Sequence, residues 1–120
     1  MMGRITLLFC FLLCLVGNHL WAGTITVCQS CEVKSIKEGV VLAADFDTLL
    51  IKKGTYKEFN IQVTKPLTII GENYPIIDGE DKGEIITIVS DNVTIDGLFI
   101  INVGTSYTAD YAAIRVVQSE

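Results

Sequence analysis

The sequence predicts a mainly β fold: a right-handed, single-stranded parallel β-helix with a short capping α-helix near its N-terminal end. Three observations predict it: an internal repeat, a series of short strand patterns, and a single helical pattern. The strand patterns are rich in Ile, Val and Thr and are separated by Gly, Asp, Asn and Pro. A chain of 120 residues forms one domain at most. Because no second helix interrupts the strands, a doubly wound α/β sheet is excluded.

The internal repeat aligns two stretches of the chain at an offset of 26 residues without a gap. Residues 63–71 (VTKPLTIIG) match residues 89–97 (VSDNVTIDG). On the same basis Ile61–Val63 aligns with 87–89 and with Ile114–Val116. A coil of this length cannot bury its apolar face alone and must stack on the next coil.

The repeat also predicts which side chains meet. Ile69 and Ile95 occupy equal positions, so we expect them to stack inside the solenoid. The alternative fold is a small antiparallel sandwich or barrel, which also uses short strands with regular turns. Pro66 and Asn92 disfavour it, since a two-residue hairpin turn prefers Asn-Gly or Gly-X.

The elements follow in order along the chain. A strand is expected at 24–28, and a helix at 35–44, where Ser35 and Glu38 have the spacing of a capping box. Ile36, Val40 and Ala43 or Ala44 share one face of that helix, and Gly39 weakens it by about 1 kcal/mol relative to Ala. Alternation of apolar and polar residues then predicts strands at 48–52, 59–63, 67–70, 76–77, 85–89, 93–95, 98–101 and 114–117.

The first residues predict that the chain is exported from the cytoplasm. Arg4 precedes an uncharged apolar run over 5–16, which is shorter than the roughly 20 residues that a membrane-spanning helix needs. This order, ending in a polar break and Ala22, is typical of a secretory signal peptide over 1–22. We therefore expect a mature chain, residues 23–120, that does not span the membrane. A buried N-terminal helix is the alternative.

Composition narrows the partners of the mature chain. Loss of Arg4 leaves eight basic residues against fourteen acidic ones, a net charge of −6. An acidic surface without a basic cluster argues against nucleic acid and anionic lipid as partners. The only histidine, His19, and both methionines lie in the predicted signal peptide.

Cys28 and Cys31 are therefore the only soft metal ligands in 23–120, and three interpretations remain open. In an exported protein they form a disulfide or a pair of partly buried thiols. Two thiolates also suit Cu(I). A thioredoxin-like redox pair is the third interpretation, although that motif places its first cysteine at a helix N-terminus within a βαβ unit.

Acidic side chains near predicted corners suggest a polysaccharide-cleaving enzyme, since glycosidases use two carboxylates about 5–9.5 Å apart. Aspartate is also favoured in turns for its local hydrogen bonds. We interpret these residues as solvated corner residues and assign no catalytic residue. They are Asp45, Asp47, Asp78, Glu80, Asp81, Glu84, Asp91, Asp96 and Asp110.

Several segments resemble the N-terminal coils of the carbohydrate-binding and sugar-hydrolase-type (CASH) β-helices. They are 35–38 (SIKE), 47–58 (DTLLIKKGTYKE), 65–72 (KPLTIIGE) and 77–79 (IDG). Within that group the chain is most similar to the NosD-type maturation protein of nitrous oxide reductase. This closer resemblance is carried by 28–31 (CQSC), 73–75 (NYP) and 110–114 (DYAAI).

The resemblance implies a periplasmic accessory protein that is not an enzyme and that helps to mature the copper–sulfide centre of the reductase. Its partners would be nitrous oxide reductase and an ABC-type transporter, and its cargo copper or sulfur, with Cys28 and Cys31 as candidate copper ligands. The alternative is a carbohydrate-active, pectin lyase-like β-helix. Because proteins of this group continue through many more coils and a C-terminal cap, we expect that the chain is truncated after Glu120.

Overall fold

The fold is a parallel β-solenoid of about four turns with one short helix, seen in a computed structural model that describes residues 22–118. This confirms the predicted fold class. The predicted signal peptide lies outside the described residues, apart from Ala22. Within 22–118, no helical segment has the length and apolar character needed to cross a membrane.

The described residues form ten strands and one helix. In chain order they are β1 (Thr24–Val27), α1 (Ile36–Leu42), β2 (Thr48–Ile51), β3 (Thr55–Lys57), β4 (Ile61–Val63), β5 (Thr68–Gly71), β6 (Ile76–Asp78), β7 (Ile86–Ile88), β8 (Thr94–Asp96), β9 (Phe99–Ile101) and β10 (Ile114–Val116).

The strands build three parallel sheets, one on each side of the solenoid. Sheet A has the order β1-β2-β5-β8, sheet B the order β3-β6-β9, and sheet C the order β4-β7-β10. Three successive turns each contribute one strand to every sheet, so each turn is hydrogen-bonded to the next on all three sides. The backbone N–H and C=O groups of one turn are thereby hydrogen-bonded to those of the neighbouring turns.

The interior of sheet A is a stack of aliphatic side chains. Ile25 pairs in register with Leu49, Leu49 with Ile69, and Ile69 with Ile95. Leu49 and Ile69 are fully buried, whereas Ile25 and Ile95, at the two ends of the stack, are partly buried. The prediction that Ile69 and Ile95 stack is confirmed.

The outer face of sheet A carries a column of threonines. Since strand residues alternate between faces, the residue before each inward aliphatic side chain points outward. Four threonines in register occupy these positions and form what we call the threonine ladder: Thr24, Thr48, Thr68 and Thr94. Neighbouring threonines on paired strands contribute favourable cross-strand contacts.

Helix α1 covers the N-terminal end of the solenoid, as predicted. Its N-cap is Ser35, whose Oγ accepts a hydrogen bond from the backbone N–H of Glu38 at 3.0 Å. Gly39 is buried, and a Cβ there would lie 2.6 Å from Cδ1 of Leu49. The residue that lowers helix propensity therefore allows α1 to approach the β-strands closely.

Both ends of α1 are bound by charged side chains from the corners on either side of β4. The Glu58 carboxylate accepts hydrogen bonds from the N–H groups of Ile36 at 2.8 Å and Lys37 at 3.0 Å. The Lys65 ammonium donates to three carbonyls of the last turn, those of Val40, Val41 and Ala43. An anion at the N-terminus and a cation at the C-terminus also complement the helix dipole.

The predicted alignment in sheet C was wrong by one residue. Ile61–Val63 pairs with Ile86–Ile88, not with 87–89, and Ile114–Val116 also pairs with Ile86–Ile88. The corner between β7 and β8 is one residue longer than the corner between β4 and β5. Asn92 in that corner adopts a φ of 59°, a left-handed conformation that Asn tolerates better than most residues.

Strand β3 was missing from the strands predicted by alternation. It has only three residues, and its single inward side chain is Tyr56, which is buried. The Tyr56 hydroxyl donates to the backbone carbonyl of Lys52 at 2.7 Å and is 3.2 Å from that of Val27. One inward residue produces no alternation that could be detected in the sequence.

The repeated glycines, Gly71 and Gly97, lie against each other at one corner. A Cβ on Gly71 would lie 2.2 Å from the carbonyl oxygen of Gly97, and a Cβ on Gly97 would lie 2.7 Å from that of Gly71. Gly97 also has a φ of 76°, which favours glycine. The glycines of the repeat therefore permit close contact between the backbones of successive turns.

We expect Ile69→Ala to lower the free energy of unfolding by about 2–5 kcal/mol, because the side chain is fully buried in the stack of sheet A. The matched control is Ile70→Ala on the same strand. Ile70 points outward and is 36% exposed, so its replacement should cost less than about 1 kcal/mol. Urea unfolding of the three proteins measures both values, and equal losses at the two positions would contradict the register.

Candidate functional site

Two regions of the described chain gather side chains with chemistry beyond the core. The first, which we call the cysteine loop, is residues 28–33 between β1 and α1. The second, which we call the Phe59 groove, lies beside the corners of sheet C. It is lined by Phe59, Asn60, Lys82, Gly83, Glu84 and Tyr111 and has a volume of about 250 Å³.

The cysteine loop is closed by a disulfide between Cys28 and Cys31, with a Cα–Cα distance of 5.0 Å. The N–H of Cys31 donates to the carbonyl of Cys28 at 3.2 Å. The N–H of Cys28 donates to the carbonyl of Val33, also at 3.2 Å, and Val33 forms a parallel bridge with Val27. The loop therefore returns the chain to β1 before α1 begins.

The chemistry of the pair depends on its redox state. Both cysteines are partly exposed, so a reductant can reach them. In the disulfide they offer no thiolate, and the thiolate is the form of cysteine that binds metal. Within 22–118 no group of three or more His, Cys, Asp or Glu side chains could hold a metal ion. Reduction of the pair would expose two sulfur ligands for Cu(I) and no third ligand from such a group.

The redox-pair interpretation required the first cysteine at a helix N-terminus. Cys28 precedes Ile36, the first residue of α1, by eight residues, and the helix N-terminus is bound by Glu58. The helix dipole therefore does not act on the Cys28 sulfur in the way that lowers a thiol pKa in thioredoxin-like proteins.

Two of the candidate acidic residues accept hydrogen bonds within the corners of the solenoid. The Asp47 carboxylate accepts from the N–H of Gly23 at 2.7 Å and from that of Ala44 at 2.8 Å. The backbone N–H of Gly23 and then that of Ala44 lower the pKa of Asp47. The Asp78 carboxylate accepts from the side chain of Asn102 at 2.8 Å, which is the main cause of its lowered pKa. These contacts agree with the interpretation as corner residues.

The Phe59 groove combines aromatic, cationic and polar side chains. The ammonium groups of Lys37 and Lys82 lie 5.0 and 5.8 Å from the centroid of the Phe59 ring, within the range of cation–π contacts. Tyr111 is 42% exposed on the other side. Gly83 lies close to it, since a Cβ there would meet the Tyr111 ring at 3.9 Å.

Glu84 is the one carboxylate among the six residues that line the groove. Its Oε1 accepts a hydrogen bond from Nε of Arg115, and its Oε2 accepts one from the hydroxyl of Thr87 at 3.1 Å. The hydrogen bond from Arg115 is the main cause of the lowered pKa of Glu84. A carboxyl that stays ionised is a poor general acid, and hydrolysis of a glycosidic bond uses two carboxyl groups.

The groove was not predicted from the sequence, although Glu84 was noted among the acidic residues near predicted corners. Phe59 precedes β4, and Tyr111 precedes β10 two turns later. Stacking of the coils brings them to one corner. The only signal in the sequence is that Phe59 and Tyr111 both occur shortly before strands of the same sheet.

Comparison with protein-family models, with curated protein sequences and with solved structures found no match for the chain.

We expect the Cys28→Ser/Cys31→Ser variant to lose about 2 kcal/mol of unfolding free energy, because a disulfide that closes so short a loop restricts the unfolded chain by roughly that amount. The free energy of unfolding in urea is measured for the oxidised wild type, for the wild type in the presence of a dithiol reductant, and for the double variant. The matched control is Ser30→Ala, which keeps both sulfurs. Identical stability of the oxidised wild type and the double variant would contradict a stabilising disulfide.

Proposed function

We propose that the chain is the N-terminal part of an exported accessory protein that helps to assemble the copper–sulfide centre of nitrous oxide reductase, with copper or sulfur as its cargo. The proposal comes from the resemblance to NosD-type proteins. The observation that carries it is the place of the cysteine loop, whose two cysteines are partly exposed directly after β1, the edge strand of sheet A. A partner can therefore reach them without any opening of the core.

The chemistry of copper handling requires a reduced pair. A dithiol reductant would supply two electrons and two protons to the Cys28–Cys31 disulfide and itself become a disulfide. Loss of the thiol protons then gives two thiolates, which are ligands that suit Cu(I). Because the chain offers no third soft ligand between 23 and 120, Cu(I) would keep an open side that a partner's ligands can occupy. Such a site suits transfer better than storage.

The experiment is an anaerobic titration of reduced mature protein with Cu(I) in competition with a chelator. We expect about one equivalent of weakly bound copper, and none in the Cys28→Ser/Cys31→Ser variant. Ser30→Ala is the matched control, because it removes the hydroxyl that lies 3.5 Å from the Cys28 sulfur and leaves both cysteines in place. Incubation of the copper-loaded protein with the copper-free reductase then tests delivery. Equal copper uptake by the wild type and the double variant would end the case for a thiol site.

A second function is favoured by the Phe59 groove, namely binding of an acidic polysaccharide by a pectin lyase-like protein. The groove is lined by two aromatic rings, Lys82 and the Asn60 side chain, and Lys37 lies against the Phe59 ring. Sugar rings are bound by stacking on aromatic rings, and their carboxylates by positive charge. Binding without cleavage fits a groove with one carboxylate. The groove lies beside sheet C, whereas the cysteine loop follows β1 of sheet A. Polysaccharide binding and copper delivery would therefore use separate sites.

The polysaccharide function is tested by calorimetric titration with oligogalacturonides of defined length. We expect Tyr111→Ala to weaken binding by about tenfold, the effect of removing one aromatic stacking contact. Tyr74→Ala is the matched control, because Tyr74 is 71% exposed and does not line the groove. Absence of binding by the wild type would leave copper handling as the surviving proposal.

A further inference from the structure

Gly23 is bound to the fold through both of its backbone polar groups. Its N–H donates to Oδ1 of Asp47 at 2.7 Å, and its carbonyl accepts from the N–H of Thr48 at 2.9 Å. Strand β1 begins at the next residue. Residue 23 is therefore the point at which the solenoid starts, and it is also the residue at which the sequence predicts that the mature chain begins.

Asp47 is held in place by other contacts. Its second oxygen, Oδ2, accepts from the N–H of Ala44 at 2.8 Å, in the segment that follows α1. Lys65 adds a positive charge that also lowers the pKa of Asp47, while its ammonium is bound to the carbonyls at the end of α1. Asp45 is an exposed anion in the same corner. Asp47 is thus a fixed, ionised carboxylate that faces the nitrogen of residue 23.

We propose that the Asp47 carboxylate is the binding site for the α-ammonium group that removal of the signal peptide creates on Gly23. This proposal rests on the proposed function, which requires that the chain is exported. In the cleavage, water is added across the Ala22–Gly23 peptide bond, so that Ala22 gains a carboxylate and Gly23 a free amine, which takes up a proton. The 2.7 Å contact then changes from an amide hydrogen bond to an ion pair between whole charges.

The geometry allows this exchange without rearrangement. Ala22 and Gly23 are both exposed, so the new ammonium is accessible to water. Hydrolysis removes the Ala22 carbonyl carbon from the Gly23 nitrogen, and the added protons of the ammonium occupy the space that this carbon leaves. The N–H that already donates to Oδ1 of Asp47 keeps its contact. Processing thus strengthens the attachment of the first strand to the corner that α1 leads into.

The ion pair has a defined pH dependence. A carboxylate partner raises the pKa of the α-amino group above its ordinary value of about 7.7–8.0. The resulting stabilisation is complete below that unfolded-state value and is lost as the pH rises through the higher pKa of the folded chain. Lysine and tyrosine titrations near pH 10 are shared by an otherwise identical chain with a blocked amine, so they cancel in a comparison of the two.

The experiment uses the exported protein, whose N-terminus is first identified by intact mass. Its α-amino pKa is then measured by NMR in the wild type and in Asp47→Asn. An N-acetylated sample of the same chain serves as the matched control, because acetylation keeps an N–H donor on Gly23 and removes its charge. The stability of the free and acetylated forms is compared by urea unfolding between about pH 7 and pH 11.

We expect a mass that corresponds to Gly23 as the first residue, and an α-amino pKa that is raised in the wild type and ordinary in Asp47→Asn. The free form should have a folding equilibrium constant up to about fivefold above that of the acetylated form at pH 7, the range of an exposed ion pair, and no advantage near pH 11. A first residue other than Gly23 would overturn the ion pair, because the ammonium would then lie on another residue, and retention of residues 1–22 would also overturn the export it rests on. Gly23 with an ordinary α-amino pKa would overturn the ion pair alone and leave export and copper handling standing.

Discussion

The structure depends on the closure of its first turn. Each turn of a solenoid buries its inward side chains only because a neighbouring turn covers them, and the first turn has no such neighbour. Here α1 and the cysteine loop take that place, and α1 is held at both ends by Glu58 and Lys65. These residues flank β4, so the cap and the turn beneath it order each other. The aliphatic stack below, from Leu49 to Ile69, is fully buried as a result.

The fold was predictable because its information is local and repeated. The helix could be read from Ser35 and Glu38, and the register of sheet A from the repeated Thr-Ile pair that ends in glycine. The register of sheet C could not be read, because Val63 resembles both Ile88 and Val89, and sequence alone does not reveal which corner holds the extra residue. The observed pairing of Ile61–Val63 with Ile86–Ile88 resolves that ambiguity, and it is a property of the folded chain.

The two candidate sites also differ in how far they could be predicted from the sequence. Cys28 and Cys31 are close in sequence, so their contact was among the predicted possibilities, and the structure joins them in a disulfide. The Phe59 groove depends on the length of the segments that separate its residues, which sets the corner at which each one arrives. The pairing of Glu84 with Arg115 of the next turn also changes how Glu84 is interpreted, from a solvated corner residue to one half of an ion pair, with a lowered pKa.

The threonine ladder gives the fold a means of rejecting misfolded alternatives. If a strand of sheet A slipped by one residue, its outward and inward side chains would exchange faces. A hydroxyl would then enter the apolar interior without a partner, at a cost of about 1–3 kcal/mol for each threonine, while an isoleucine or leucine would become exposed. Because the four threonines lie on four successive strands, the penalty accumulates with every strand that joins a slipped sheet. A sheet slipped by one residue is therefore disfavoured more strongly, the more strands it contains.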